Sequence, residues 1–328
     1  MRRTEHLRLA GFGGVVALLH LAGWGLFLFY IGANPALSGL GLLAYTFGLR
    51  HAFDADHIAA IDNTARRLVR ERERSLGVGF FFSLGHSTIV FVLVAGIAFA
   101  SSSVSASIPV LQHYGAPVGA GVSGAFLWVI GVLNLLVLID IARMVGALRA
   151  GRLDADHLER RLRDRGFLNR FLAGRFASRI ASSWQMYPLG LLFGLGFDTA
   201  TEVGLLVLAA TSASHGTPFL AVLSLPLLFA AGMSMVDTAD GVFMSHAYGW
   251  AFANPVRRMY YNITVTSLSV VVALAIGTIE FAQIAVRRFQ PDLGALGYAI
   301  VGLFVLTWAI SAIVWKAGRI EERWAGVR

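Results

Sequence analysis

Long apolar runs alternate with short polar stretches along nearly the whole chain. Eight of these runs, at residues 11–33, 37–61, 76–101, 118–147, 186–213, 217–246, 259–286 and 294–316, are each long enough to cross a ~30 Å hydrocarbon layer as a helix. Inside lipid only helices and closed barrels satisfy their own backbone, and unbroken apolar runs of this length exclude a barrel. The pattern predicts an all-α polytopic membrane protein with eight transmembrane helices in a single domain over residues 1–328. The longest polar stretch, residues 148–183, predicts a linker between spans four and five; its alternating charges (Asp154, Asp156, Glu159, Arg160, Arg161, Asp164) suggest a short surface helix, with His157 a solvated loop residue. The first run is followed by more apolar chain rather than by a cleavage site and a polar mature sequence, so it reads as a retained helix.

Composition agrees with the pattern. Hydrophobic residues make up 56% of the 328 and charged residues 14%, against about 25% charged in a soluble domain. The net charge of +8 does not point to nucleic acid, because the basic residues sit in short blocks between apolar runs. Those blocks set an orientation. Arg2, Arg3 and Arg8 precede span one; Arg66, Arg67, Arg70, Arg72 and Arg74 follow span two; Arg149 to Arg179 mark the linker; Arg257 and Arg258 follow span six; Lys316, Arg319 and Arg323 follow span eight. The loops near 34–35, 101–117 and 213–218 hold no basic residue, and Arg287-Arg288 is the one exception. Both termini and the linker are thus expected on the cytoplasmic side of the cell (inner) membrane, with the lipid bilayer as the protein's environment. Cysteine is absent, which removes disulfides and thiolate metal sites.

Polar groups within the apolar runs carry the chemistry. The stretch Arg50-His51-Ala52-Phe53-Asp54-Ala55-Asp56-His57 places two histidines and two aspartates within seven residues of span two. An Asp at mid-bilayer costs about 2.5–3.5 kcal/mol on insertion scales, so the cluster reads as a functional site for a metal cation rather than helix–helix glue. On a regular helix at about 100° per residue, His51, Asp54 and His57 fall near 0°, 300° and 240°, while Asp56 falls near 140° on another face. Imidazole with carboxylate suits divalent first-row metals such as nickel, cobalt and zinc. Three further clusters follow: Phe82-Ser83-Leu84-Gly85-His86-Ser87-Thr88 in span three, Gly194 to Glu202 with Asp198 and Thr201 in span five, and Gly232 to Gly241 with Asp237 and Asp240 in span six. His20 stands alone on span one. Several carboxylates buried without a cation would each be costly.

Taken in order, these motifs resemble the nickel/cobalt transporter (NiCoT) family, secondary permeases of the bacterial cytoplasmic membrane. The resemblance rests on His51, four residues, then Asp56-His57; on Leu84-Gly85-His86-Ser87; on Leu195-Gly196-Phe197-Asp198-Thr199-Ala200-Thr201-Glu202; and on Gly232-Met233 through Asp237-Thr238-Ala239-Asp240. It implies a single transporter domain and high-affinity uptake of Ni²⁺, Co²⁺ or both, with the ion as substrate and no cofactor. It marks His51, Asp56 and His57 as essential, whereas the helical wheel prefers Asp54 over Asp56. The expected metal ligands are therefore His51 and His57, completed by Asp54 or Asp56 and by His86, with His20, Asp198, Glu202, Asp237 and Asp240 along the transport path. Efflux is the alternative; the linker's lack of a histidine-rich tract favours import. An intramembrane metalloenzyme is a third reading, but neither His-Glu-x-x-His nor paired Glu-x-x-His motifs occur. No phosphate-binding Gly-x-x-x-x-Gly-Lys-Ser/Thr loop occurs either. Finally, Phe47-Gly48-Leu49 before Phe53-Asp54 echoes Phe193-Gly194-Leu195 before Phe197-Asp198. That echo suggests a repeat relating span two to span five, with the site near the midplane between the halves.

Overall fold

The computed structural model describes residues 3–71, 74–100, 108–149, 181–195, 200–214, 216–252, 255–286 and 293–317. Among these residues ten α-helices follow one another: α1 (Arg3–Ile31), α2 (Leu40–His51), α3 (Ala55–Arg70), α4 (Val78–Ala100), α5 (Ile108–Arg149), α6 (Met186–Phe193), α7 (Ala200–Ser214), α8 (Phe219–Phe252), α9 (Pro255–Ala285) and α10 (Leu293–Ala317). Four stretches are long and apolar enough to cross a membrane, Thr4–Ile31, Val78–Phe99, Phe219–Ala251 and Thr266–Ala285, and shorter apolar stretches run through α5, α7 and α10. The chain is a helical membrane protein. Long side chains such as Leu18, Leu21 and Phe29 on α1, Val271 on α9 and Leu303 on α10 are exposed, as lipid-facing positions are.

Every predicted span contains helix, but two of them are not continuous. The run 37–61 is α2 and α3, separated at Ala52–Asp54. The run 186–213 is α6 and α7; α6 closes with Gly194, and helix resumes at Ala200. Most of the linker, Arg287-Arg288, and Asp198 lie outside the described residues.

Helix α8 is the hub, packed against α1, α2, α3, α4, α7 and α9. Its closest neighbours approach through glycine. A Cβ on Gly48 of α2 would overlap the Phe229 carbonyl of α8, and one on Gly232 would meet the Tyr45 carbonyl and the Leu49 amide nitrogen of α2. Helices α4 and α6 make the same contacts: a Cβ on Gly190 would overlap the Phe82 carbonyl, and one on Gly85 would meet the Tyr187 carbonyl and the Leu191 amide nitrogen. Tyr45, Gly48, Leu49, Phe229 and Gly232 thus correspond one to one with Tyr187, Gly190, Leu191, Phe82 and Gly85. The molecule contains a repeat that relates α2 to α6 and α4 to α8. Its register differs from the one the sequence suggested: Gly48 corresponds to Gly190, not Gly194, because two extra residues separate Leu191 from Phe197-Asp198.

The most polar helix, α3, is also the most enclosed. Asp62, Asn63 and Arg66 are all buried. Tyr248 of α8 and Ser269 of α9 donate to the two Asp62 carboxylate oxygens. The Asn63 side-chain oxygen accepts from Arg66 (2.7 Å) and from Asn134 of α5 (2.8 Å). Inside a bilayer these bonds replace water that is not there, and they fix α3 against three neighbouring helices.

Candidate metal site

Helix α2 ends on His51, and the next residues turn tightly. Phe53 N–H donates to the Arg50 carbonyl (3.0 Å) and Asp54 N–H to the His51 carbonyl (2.9 Å). Asp54 is extended (φ −65°, ψ 142°) and α3 starts behind it. Helix α10 covers this break: Gly297 lies against the Phe53 carbonyl so closely that a Cβ there would overlap it, and the Tyr298 ring sits 4.9 Å from that of Phe53. The break turns the end of α2 and the start of α3 toward one point.

Three imidazoles meet at that point. One nitrogen from each of His51, His57 and His86 lies within 4.8 Å of the others, and all three residues are buried. His51 Nε2 is 3.0 Å from His86 Nε2. Glu202, from the first turn of α7, brings Oε1 to 2.6 Å from His86 Nε2 and 3.9 Å from His51 Nε2. His57 Nε2 is buried with no hydrogen-bond partner among the described residues.

The outward-facing nitrogens of His51 and His57 are held. Asp54 Oδ2 is 2.9 Å and Thr201 Oγ1 3.1 Å from His51 Nδ1. Asp237 Oδ2 of α8 is 3.3 Å from His57 Nδ1. A carboxylate on Nδ1 assigns the proton to that nitrogen and leaves the Nε2 lone pair available. Aromatic rings wall the pair: Phe82 packs edge-on to His57 (4.7 Å between ring centroids) and Phe229 against His51 (5.5 Å). The arrangement offers three buried imidazoles and one carboxylate oxygen at one point, a donor set suited to nickel, cobalt or zinc and poorly suited to magnesium or calcium.

The sequence-derived candidates divide accordingly. His51, His57, His86, Asp54, Glu202 and Asp237 come together. Asp56 Oδ1 accepts from the His57 backbone N–H (2.9 Å) in the first turn of α3, within electrostatic reach of His51. His20 is engaged elsewhere, with Nδ1 2.8 Å from the Val16 carbonyl and Nε2 3.2 Å from the Tyr45 hydroxyl. Asp240 is half-buried, within electrostatic reach of both Asp62 and Asp237. Thr201 and Phe82 were named in the sequence only as members of motifs, and Phe229 not at all, since each is ordinary taken alone and meaningful only through the residue it touches.

Residues 37–314 match the family model described as "High-affinity nickel-transport protein". The chain is 51% identical to the nickel transporter NicT of Mycobacterium tuberculosis, over 98% of this chain and 92% of that protein. It is 45% identical to the nickel transporter NixA of Staphylococcus aureus, over 98% of each. It is 44% identical to the cobalt transport protein NhlF of Rhodococcus rhodochrous, over 93% of this chain and 92% of that one. No solved structure matches.

Proposed function

The chain belongs to the high-affinity nickel-transport family, and on that premise we propose that it carries nickel and cobalt ions into the cell and holds each ion between His51, His57, His86 and Glu202. It is a transporter, not an enzyme. The observation that carries the site is the convergence of three buried imidazoles from two helical spans on one point. A bare divalent ion cannot enter hydrocarbon, so protein donors must replace its water, and these are the donors on offer. Relatives named for nickel and for cobalt support both ions as substrate, and the two are neighbours in the affinity order for such ligands.

In this reading Asp54 and Asp237 aim imidazoles rather than touch the ion. Asp56 serves differently. It sits at the positive end of α3 and accepts the backbone N–H of His57, which steadies the turn carrying that ligand. A carboxylate behind a ligating histidine is worth about 10–100-fold in metal affinity or activity. Asp237→Asn keeps the shape and loses the charge, so nickel uptake is expected to fall by about that factor. Uptake equal to the parent's would mean that Asp237 merely packs against His57.

The test of the function is uptake of nickel and cobalt by vesicles containing only this protein. Each ion is expected to enter and to inhibit the other, and uptake to weaken on acidification, because protons and metal compete for the same nitrogen lone pairs. Metal that binds without entering would favour an enzyme, and entry only with an added ATPase would favour a subunit of a larger importer. The apolar runs give eight spans, and the arginine distribution puts both termini on the cytoplasmic side of the inner membrane. A reporter fused to either end is expected to read cytoplasmic, and a reading from the outer side would reverse the orientation. In this topology spans two and five run in opposite directions, which makes the repeat an inverted one.

A further inference from the structure

We propose that the thioether of Met233 is a further contact to the transported ion and favours nickel and cobalt over harder divalent cations. This rests on the reading that the ion sits among His51, His57 and His86.

One face of α8 points to it. Phe229, Met233 and Asp237 follow at four-residue intervals, and at about 100° per residue they lie near 0°, 40° and 80°. The Phe229 ring packs on His51, and Asp237 reaches His57. The two histidine rings are themselves only 4.6 Å apart. Both ends of the stripe therefore touch the histidine pair, and Met233, with no exposed surface, lies midway between them in height and in angle. The flanking glycines agree. Gly232 faces Tyr45 and Leu49 of α2, and Gly241 faces Gly79 of α4. Met233 lies on the face of α8 between those two contacts, within the buried cluster that also holds Ala52, Val90 and Phe229.

The repeat leads to the same residue independently of the wheel. Phe82-Ser83-Leu84-Gly85-His86-Ser87 on α4 corresponds to Phe229-Ala230-Ala231-Gly232-Met233-Ser234 on α8. The two glycines meet equivalent backbone atoms, and the two phenylalanines each pack on one histidine of span two, Phe82 on His57 and Phe229 on His51. Met233 therefore occupies the position that His86 holds in the other half. The His86 ring faces both His51 (4.7 Å) and His57 (4.9 Å). In this assignment the Met233 sulfur meets the pair from α8, between Phe229, which packs on His51, and Asp237, which reaches His57.

A thioether adds no charge and carries no proton to lose. It is a soft donor, whereas magnesium, calcium and manganese prefer oxygen. A sulfur beside three imidazoles selects against those ions without deepening the site so far that nickel cannot leave.

X-ray absorption at the nickel edge of the purified, nickel-loaded protein tests it. The parent is expected to show imidazole scattering plus one sulfur shell. Met233→Leu, a swap of similar volume that cores tolerate, is expected to keep the imidazoles and lose the sulfur. In vesicles the same variant is expected to become roughly tenfold more sensitive to competing manganese, the size of effect one site residue exerts. Should the variant fail to insert, selenomethionine labelling of the parent replaces sulfur by selenium in the same shell without any substitution. Imidazoles without sulfur or selenium would overturn the contact and leave the histidine site standing, with Met233 a gap-filling core residue. A spectrum without imidazole would overturn both, and unchanged manganese competition would overturn the role in selection.

Discussion

His57→Ala is expected to reduce nickel uptake at least about 100-fold, beyond the 10–100-fold that removing a supporting carboxylate costs, while the protein still reaches the membrane. The residue joins both parts of the site. Its Nε2 is buried and has no partner among the described residues, so no observed contact of the fold depends on that nitrogen. Its Nδ1 meets Asp237 at 3.3 Å, and its ring packs on Phe82 and against His51. Removing the ring deletes one ion donor and takes from the buried Asp237 the imidazole that its Oδ2 reaches. The fold survives, because the anchors of α3 to α5, α8 and α9 run through Asn63 and Asp62, a turn or more away. His86→Ala is expected to behave alike, since Glu202 reaches the site through it. The check is uptake normalised to the amount of protein in the membrane fraction. Parental uptake by either variant would remove that residue from the ion's ligands, and loss of the protein itself would show a structural role.

Hydropathy located the helices because it reports which residues avoid water. It could not report where a span stops being a helix. Leu40 to Ile61 is apolar enough to look continuous, and only the hydrogen bonds at Phe53 and Asp54 reveal the break. The wheel nevertheless grouped His51, Asp54 and His57 correctly. The turn at 52–54 replaces helical bonds with tighter ones that advance the chain in the same sense, so His51 and Asp54 still meet at 2.9 Å. What Asp54 and Asp56 each touch was not legible in sequence: Asp54 reaches His51 Nδ1, and Asp56 accepts the backbone N–H beside it. Glu202 and Asp237 were visible as costly carboxylates, but their partners belong to other spans, and no one-dimensional pattern pairs α7 with α4 or α8 with α3. Asp62 was passed over. It carries no motif, and its importance lies in Tyr248 and Ser269, 186 and 207 residues away in the chain. The repeat was sensed at Phe-Gly-Leu but set out of register, since glycine spacing identifies a helix contact only once the opposing carbonyl is known.

Those glycines carry the other large expected effect. Gly79→Ala and Gly190→Ala should each lower stability in detergent by about 1–3 kcal/mol or more, the cost of overpacking, and abolish most uptake. A Cβ at Gly79 would overlap the Asp237 carbonyl of α8, and one at Gly190 the Phe82 carbonyl of α4. A flexible side chain can turn aside from a methyl group; a helical carbonyl cannot, because it is bonded within its own helix. The helices must separate instead. At Gly79 the separation moves α8 from α4, and with it Asp237 from the His57 that Phe82 buttresses. At Gly190 it moves α6 from the turn of α4 that presents His86, whose amide nitrogen also lies within 3.0 Å of the added atom. Gly249→Ala is the control. Nothing lies within 4 Å of a Cβ there, and alanine is favoured over glycine in a helix by about 1 kcal/mol, so that variant should equal or exceed the parent in stability and transport normally. Thermal unfolding in detergent and vesicle uptake, measured on all three variants, separate the outcomes. If Gly79→Ala and Gly190→Ala prove as harmless as Gly249→Ala, the close approaches of α4 to α8 and to α6 are not present in the working protein, and a site that depends on sub-ångström placement of Asp237 and His86 could not be built on them.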